Sequence, residues 1–503
     1  MVFENVCNCS GNFYGVDCSE CAFGWSGENC GMKKQAVQRK SFGSLLDSEK
    51  QNVVNGMLML KSEMGYWSVV TEEPPTASGT VTLQNVSTYD FLVYIHNYVS
   101  RDASEACKVL NGGINVDFAH SGPNFLVWHR TYLLILERAL QRVLDNPSFG
   151  LPYWKWEGND LSVFDERYFG TLPTRSRERQ DITNGLNWKT VCDISFRLKT
   201  TDKVGREVDA YWNDKDPRNC MQYWAPCDPI TDLGNSNRLQ RGNAYLKGYL
   251  PNVREIEIAI AAPEYDAPGD NGKYGQRSLR DSFRSRLEGW SLICSTSDLC
   301  VGPQVSPMYQ RLHNNVHDWI NGHMSVPPSA VNDPVFSLHH SNINRILESW
   351  MQRFPSGEIP QYKPDSRGHI GHNSQDYMVP FLPLITPNQQ YSTSDNWGYE
   401  YDYLIEATIS DNDIPNCTYT EENIQECRIC TAHSSDSSTQ CTQYEFDAIA
   451  CIGEYQTCSL STEDIRVCSA TEPTVRPTPG SSSKMLKASL LPFLLIVFLT
   501  LIL

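Results

Sequence analysis

The stretch HSGPNFLVWHRTYLLILE, residues 120–137, begins with a histidine in a Gly/Pro loop and meets a second, His129, nine residues later at the head of an apolar run. That run carries on to Leu144 with its apolar residues at helical spacing, which predicts a helix over 124–144. Two other stretches share the period. YDFLVYIHNYVS (89–100) places His96 inside an apolar helix, and HSNINRILESWMQRF (340–354) has His340 opening one. In HNNVH, His313 and His317 stand at i and i+4, so both imidazoles share a helix face. PYWKWEG (152–158) follows the second helix directly, whereas residues 170–285 are polar, broken and turn-rich and read as long loops with short elements. The expectation is a mainly α fold in which two groups of three imidazoles project from helices of one bundle into its core.

Three neutral imidazoles per metal leave an open coordination position, and imidazole suits copper and zinc alike. A single helical histidine is more often structural, and an i, i+4 pair alone does not choose between the two metals. The surrounding residues do more. HSGPNFLVWHRTYLLILE resembles the first copper signature of the tyrosinases, with His120, Phe125, Trp128, His129, Arg130 and Glu137 at its key positions. NDPVFSLHHSNIN (332–344) resembles the second, with Asp333, Pro334, Phe336 and His340. HNNVH is similar to the other half of that second site, and YIHNYVS supplies His96. The resemblance covers roughly 7–31 and 41–410 and is to animal tyrosinases carrying an EGF-like N-terminal module.

The resemblance implies a four-helix bundle around two copper ions, with O2 as co-substrate. His96, His120 and His129 would bind one copper, and His313, His317 and His340 the other. In the pair His339-His340 the second histidine is the implied ligand and the first its neighbour. Glu288 in FRSRLEGW and Asn314 match a pair that orients a water able to deprotonate an incoming phenol. Read by itself, Glu288 would pair with a nearby arginine. Phe336 would stack on the substrate, with Asp318 and His339 also at the pocket. The implied reaction hydroxylates monophenols to o-diphenols and oxidises these to o-quinones, feeding melanin-type pigment or crosslinks. The alternatives are a catechol oxidase without the first step, a zinc tautomerase of the tyrosinase-related type, an O2 carrier like molluscan haemocyanin, and a scaffold without activity. His339, absent from the tautomerases, favours copper over zinc.

Several positions depart from the pattern. Asn344 stands where the second signature ends in Asp; it keeps an acceptor oxygen but loses the charge, which weakens a contact to a ligand or an arginine. Ser337 replaces a large apolar residue, and Asp318 and His323 differ from the pigment-cell enzymes. Phe118, two residues before His120, excludes the Cys–His thioether of some branches. His369 and His372 lie in RGHIGHN; His372 reads as structural, and His433 as exposed.

The rest of the chain of 503 residues sets the context. A composition 40% hydrophobic and 11% aromatic is that of a folded protein. The net charge of −17, without a basic patch, argues against nucleic acid as a partner; the partner the resemblance implies is a phenolic small molecule. Of 18 cysteines, five fall between Cys7 and Cys30 and seven between Cys417 and Cys468, which reads as disulfide modules of a secretory protein rather than zinc sites. Sequons at Asn8, Asn85 and Asn416 agree. CNCSGNFYGVDCSECAFGWSGENC resembles an EGF-like repeat, which would pair Cys9 with Cys18 and Cys21 with Cys30 and leave Cys7 seeking a partner upstream. With no signal-like segment after Met1, a truncated N-terminus is expected. The expected organisation is an EGF-like module (1–31), a catalytic domain (41–410), a second cysteine-rich module (411–470) and a Pro/Ser/Thr stalk (471–484). Residues 485–503 would then be a hydrophobic anchor or GPI signal, holding the protein at a cell surface or in an organelle lumen.

Overall fold

A computed structural model describes residues 9–408 except 16–17, 66, 73–81, 101–116, 173–179, 182–198, 202–206, 210–238, 243–249, 268–281, 290, 293–308, 311, 326, 356, 364–370 and 382–383, together with two strands at 456–460 and 466–470. Asn8, Asn416, His369, His433, the side chains of the distal cysteine cluster, the stalk and the apolar tail lie outside the described residues. Among the described residues no helix is long and apolar enough to cross a membrane.

Eight α-helices are described, and four of them carry histidines to the centre. Helix α1 (Asp47–Ser62) lies on the outside of the next two. Helix α2 (Thr88–Val99) begins at Ser87, whose Oγ accepts the Asp90 N–H at 3.0 Å and satisfies one of the donors a helix start leaves open. Helix α3 (Phe125–Val143) is buried along most of its length. Helices α4 (Val253–Ala261) and α5 (Phe283–Glu288) both start with capping boxes, at Asn252 and Ser282. Gly289, at φ 110°, ends α5 in a conformation that favours glycine. Helix α6 (Leu312–Ile320) carries the HNNVH pair, and helix α7 (Val335–Met351) carries the second signature. The short α8 (Pro387–Gln390) follows.

Helix α7 starts five residues before His340, so that histidine sits inside the helix and does not open it as its apolar pattern suggested. The reason is the segment ahead of it. Pro334 cannot continue a helix backwards, and the Asp333 carboxylate accepts the Val335 N–H at 3.0 Å. Arg241 fixes that carboxylate with two bonds of 2.6 and 2.8 Å. Every residue of α7 is buried, including its polar ones, which then need partners inside the protein. Arg345 pairs with Glu157 and Asn342, and Glu348 accepts the Ser394 N–H at 2.9 Å.

A single apolar core joins α2, α3, α6 and α7 through Leu92, Trp128, Val316, Phe336 and Trp350. The sheets described are two-stranded. One matters for the core: β1 (Val37–Arg39) pairs in parallel with β2 (Tyr399–Tyr401), and between them Arg39 reaches Glu137 of α3 at 2.8 Å. The N-terminal module has disulfides Cys9–Cys18 and Cys21–Cys30. It docks on α3 through Arg138, which bonds Glu20 and the Cys21 carbonyl and lies 4.1 Å over the Phe23 ring.

Candidate metal centre

His96 lies in the last turn of α2 with no exposed surface. His129 sits one turn into α3, where its Nδ1 donates to the Phe125 carbonyl at 2.8 Å. A carbonyl only accepts, so the proton is on Nδ1 and Nε2 is left as a lone pair. His120 comes from the loop 117–124, and its Nδ1 faces the Asp117 carboxylate at 3.1 Å. One nitrogen of each of the three lies within 4.8 Å of the others.

The second group is His313, His317, His339 and His340, again with ligand atoms within 4.8 Å. His313 Nδ1 donates to Asn314 Oδ1 at 2.9 Å, and His317 Nδ1 donates to the Met324 carbonyl at 2.7 Å. Both Nε2 atoms are therefore bare lone pairs. They face His340 Nε2 at 3.2 and 3.3 Å, and that atom has at most one proton to share between them. A cation at the centre resolves the conflict: nitrogens bound about 2.0–2.1 Å from one ion stand roughly 3.3–3.5 Å apart. The two groups face each other, with His129 and His340 stacked 4.2 Å apart at 14°.

The donor set fits metal in a second way. Both nitrogens of His96 and His339, His129 Nε2 and His340 Nδ1 are buried without a hydrogen bond, at a typical cost of about 1–3 kcal/mol each. Burial also holds the imidazoles neutral, the form that binds metal. It depresses His96, His129, His313, His339 and His340 well below the ordinary histidine range and His317 to about 4. For His120 burial pulls the same way, but the Asp117 carboxylate outweighs it and raises the pKa.

Phe125 and Phe336 fill the space between the groups. Phe125 lies 4.6 Å from the His313 ring and Phe336 lies 4.1 Å from His340, both without exposed surface. His120, Asn314, His317 and Asp318 are half-buried, so among the described residues solvent reaches the centre on their side. Glu288, at the end of α5, is buried, and burial raises its carboxyl above the usual range. Its Oε1 accepts the Ser121 N–H next to His120, and its Oε2 accepts from Arg284 at 2.9 Å.

Residues 86–353 match the family model described as the common central domain of tyrosinase. The chain belongs to the tyrosinase family. It is 29% identical to the tyrosinase of Gallus gallus over 81% of its own length and 71% of that protein's. It is 30% identical to the tyrosinase of Oryzias latipes, over 80% and 69%. It is also 30% identical to the 5,6-dihydroxyindole-2-carboxylic acid oxidase of Carassius auratus, over 79% and 71%. This tyrosinase-family protein is thus a copper oxidoreductase whose cofactor is a pair of copper ions.

The six histidines implied by the signatures come together in this tyrosinase fold as two groups. His339, implied as a neighbour, has a ring nitrogen within 4.8 Å of those of the other three, so the second group holds four imidazoles. Phe336, expected over the substrate, is closed off by imidazoles and Tyr132. Asn344 does touch an arginine, but loosely: its Oδ1 lies 3.4 Å from Arg39 Nη1, while its Nδ2 has no partner. The signature residues Arg130 and Glu137 turn out to be clasps, Arg130 on the carbonyls of Gln390 and Ser392, and Glu137 on Arg39 and the Leu151 N–H. Asp117, which holds His120, is no part of either signature; its signal in the sequence is an acidic residue three before a loop histidine.

Proposed function

We propose that this protein hydroxylates monophenols to o-diphenols and oxidises o-diphenols to o-quinones with O2. His96, His120 and His129 hold one copper in this reading, and His313, His317 and His340 the other. The observation that carries it is the convergence of three Nε2 atoms, of His313, His317 and His340, facing the first imidazole group across the His129–His340 stack. His339 is left out of the triad because it makes no such close approach.

The copper pair, when bound, supplies O2 activation and takes up the electrons of the phenol. The protein's own residues place and deprotonate the substrate. Asn314, beside His313 on the half-buried edge of α6, fixes the His313 ring through its carbonyl and leaves its amide N–H group to orient a water. Glu288, with a raised carboxyl pKa, is the group suited to take the phenol proton through that water. Phe125 and Phe336 pack against His313 and His340 and steady those rings.

A second reading is oxidation of o-diphenols only. Both Glu288 oxygens are already engaged, one by Ser121 and one by Arg284, and a base so occupied deprotonates a phenol poorly. The goldfish relative named for a dihydroxyindole carboxylic acid shows which diphenols belong among the trial substrates. The disulfides of the N-terminal module support folding in an oxidising compartment, and exposed Asn85 suits a glycan acceptor.

Metal analysis of the purified protein with turnover of tyrosine and L-DOPA tests these readings. Two coppers per chain with turnover of both substrates is the expected result. Turnover of L-DOPA alone supports the diphenol oxidase, and two zinc ions without turnover would remove both readings.

A further inference from the structure

The loop that carries His120 lies directly against the segment at 371–373, a stretch of RGHIGHN to which neither reading above gives a part. His372 has no exposed surface and both its ring nitrogens are used. The Asn124 N–H donates to Nδ1 at 3.2 Å, so Nδ1 carries no proton and Nε2–H must donate, to the Asp117 carbonyl at 2.5 Å. One imidazole thus spans the loop from its first residue to its last. Asp117 in turn holds both the backbone and the ring of His120. Its carboxylate accepts the backbone N–H groups of Ala119 and His120, each at 2.8 Å, and faces His120 Nδ1 at 3.1 Å.

The fit is close on both sides. A Cβ on Gly122 would stand 2.5 Å from His372 Nδ1, and one on Gly371, at φ 85°, would strike the Phe118 ring. The Asn124 side chain donates to the carbonyls of Phe118 and Gly371, and Tyr362 anchors the far side of His372 through its carbonyl at 2.8 Å. His120 is the one histidine of either group that no helix carries. Phe118 also leaves it without the covalent tether a cysteine at that position would offer.

We propose that His372 is a positioning residue for His120, acting through Asp117 to pre-organise the copper site His120 shares with His96 and His129. The proposal rests on the ligand assignment given above. Residues that orient a metal's ligands typically change its affinity by about 10–100-fold when replaced. His372→Ala leaves the Asp117 carbonyl and the Asn124 N–H without this partner, so His120 must be ordered when copper binds.

Copper titration of the full chain tests this, with bound copper counted per chain and Cu(II) followed by EPR. At limiting copper His372→Ala is expected to hold one ion where the wild type holds two. A lone Cu(II) then gives an EPR signal, which a spin-coupled pair lacks. His372→Gln, which keeps an N–H near the position of Nε2, should recover most of the second ion. Two coppers at wild-type affinity in His372→Ala, or parallel loss of both, would overturn the proposal. If the alanine variant does not fold, Asp117→Asn decides: it keeps the carbonyl that His372 holds and must show the same one-site loss. His120→Ala separates the two ideas. Retention of two coppers there sinks the ligand assignment, whereas loss of one with no loss in His372→Ala sinks the positioning role alone.

Discussion

The two imidazole groups reach similar chemistry by different means. In the second, His313 and His317 ride one turn apart on α6, and His339 and His340 are adjacent on the fully buried α7. Two rigid helices hold all four rings. The first takes His96 from α2, His129 from α3 and His120 from a loop, so the place of His120 depends on Asp117 three residues before it and on His372, far away in the chain, which bonds both ends of that loop. One site is set by helix geometry, the other by loop clamps. The helical site should fail when a ligand is removed, and the clamped site should also fail when a supporting residue is removed.

The largest effect should follow a ligand change in the helical group. His317→Ala removes one of three converging nitrogens. Copper should fall from two ions to one per chain, and oxidation of L-DOPA to background, with the remaining ion in the first group. Elemental analysis checks this. Two coppers retained would mean that His339 takes the vacated place, and the triad would have to be redrawn.

Next is Glu288, which links the regions by accepting from Ser121 in the first group's loop while sitting on a helix packed against α6. Glu288→Gln should cut tyrosine hydroxylation by about 10²–10⁴-fold, the usual worth of a positioned base, with less than tenfold loss on L-DOPA. Steady-state rates on both substrates give the answer. Equal losses would mean that Glu288 supports the loop and moves no proton.

The copper-free protein offers a pH comparison. Burial depresses five of the histidines well below the ordinary range and His317 to about 4. The unfolded chain takes up protons near pH 6.5 that the folded chain refuses, so stability is complete above that pH and lost as pH falls toward the folded values. Each independent group contributes about 1.4 kcal/mol per pH unit over that window. The melting temperature of the copper-free protein should drop steeply between pH 6.5 and 4. A flat profile would mean that the imidazoles are wetter than the structure shows.

What the sequence disclosed follows the same division. The i, i+4 pair and the apolar period of α2, α3 and α7 placed most ligands on helices, because helix geometry is local and repeats every few residues. The start of α7 lies ahead of its apolar period because Pro334 and the Asp333 carboxylate set it, and the Arg241 that fixes this carboxylate lies 92 residues away. The partnership of Asp117 with His372 spans 255 residues and leaves no local trace. Arg39, reaching Glu137, Asn344 and Tyr401 from the first strand, is equally silent until the chain is folded.

The smallest effect expected concerns that last clasp, which steadies α7 against α3. Asn344 Oδ1 accepts from Arg39 at 3.4 Å, Tyr399 at 2.6 Å and Tyr401 at 3.0 Å, while Asn344 Nδ2 and Arg39 Nη2 are both buried without partners. Three donors on one oxygen beside an idle amide describe a pocket shaped for a carboxylate. Asn344→Asp would replace the unpartnered donor by an acceptor and give the guanidinium a second counter-charge. Charge-assisted hydrogen bonds of this kind contribute about 1.5–3 kcal/mol, against which stands the cost of burying another charge. We expect a net gain of about 1 kcal/mol in denaturant unfolding, with copper content unchanged because Asn344 contacts no histidine. Destabilisation would mean that Glu137 alone saturates Arg39 and that asparagine is the better fit. A change in copper content would show that the clasp reaches His340 through α7, and that the helical site depends on distant support as the clamped one does.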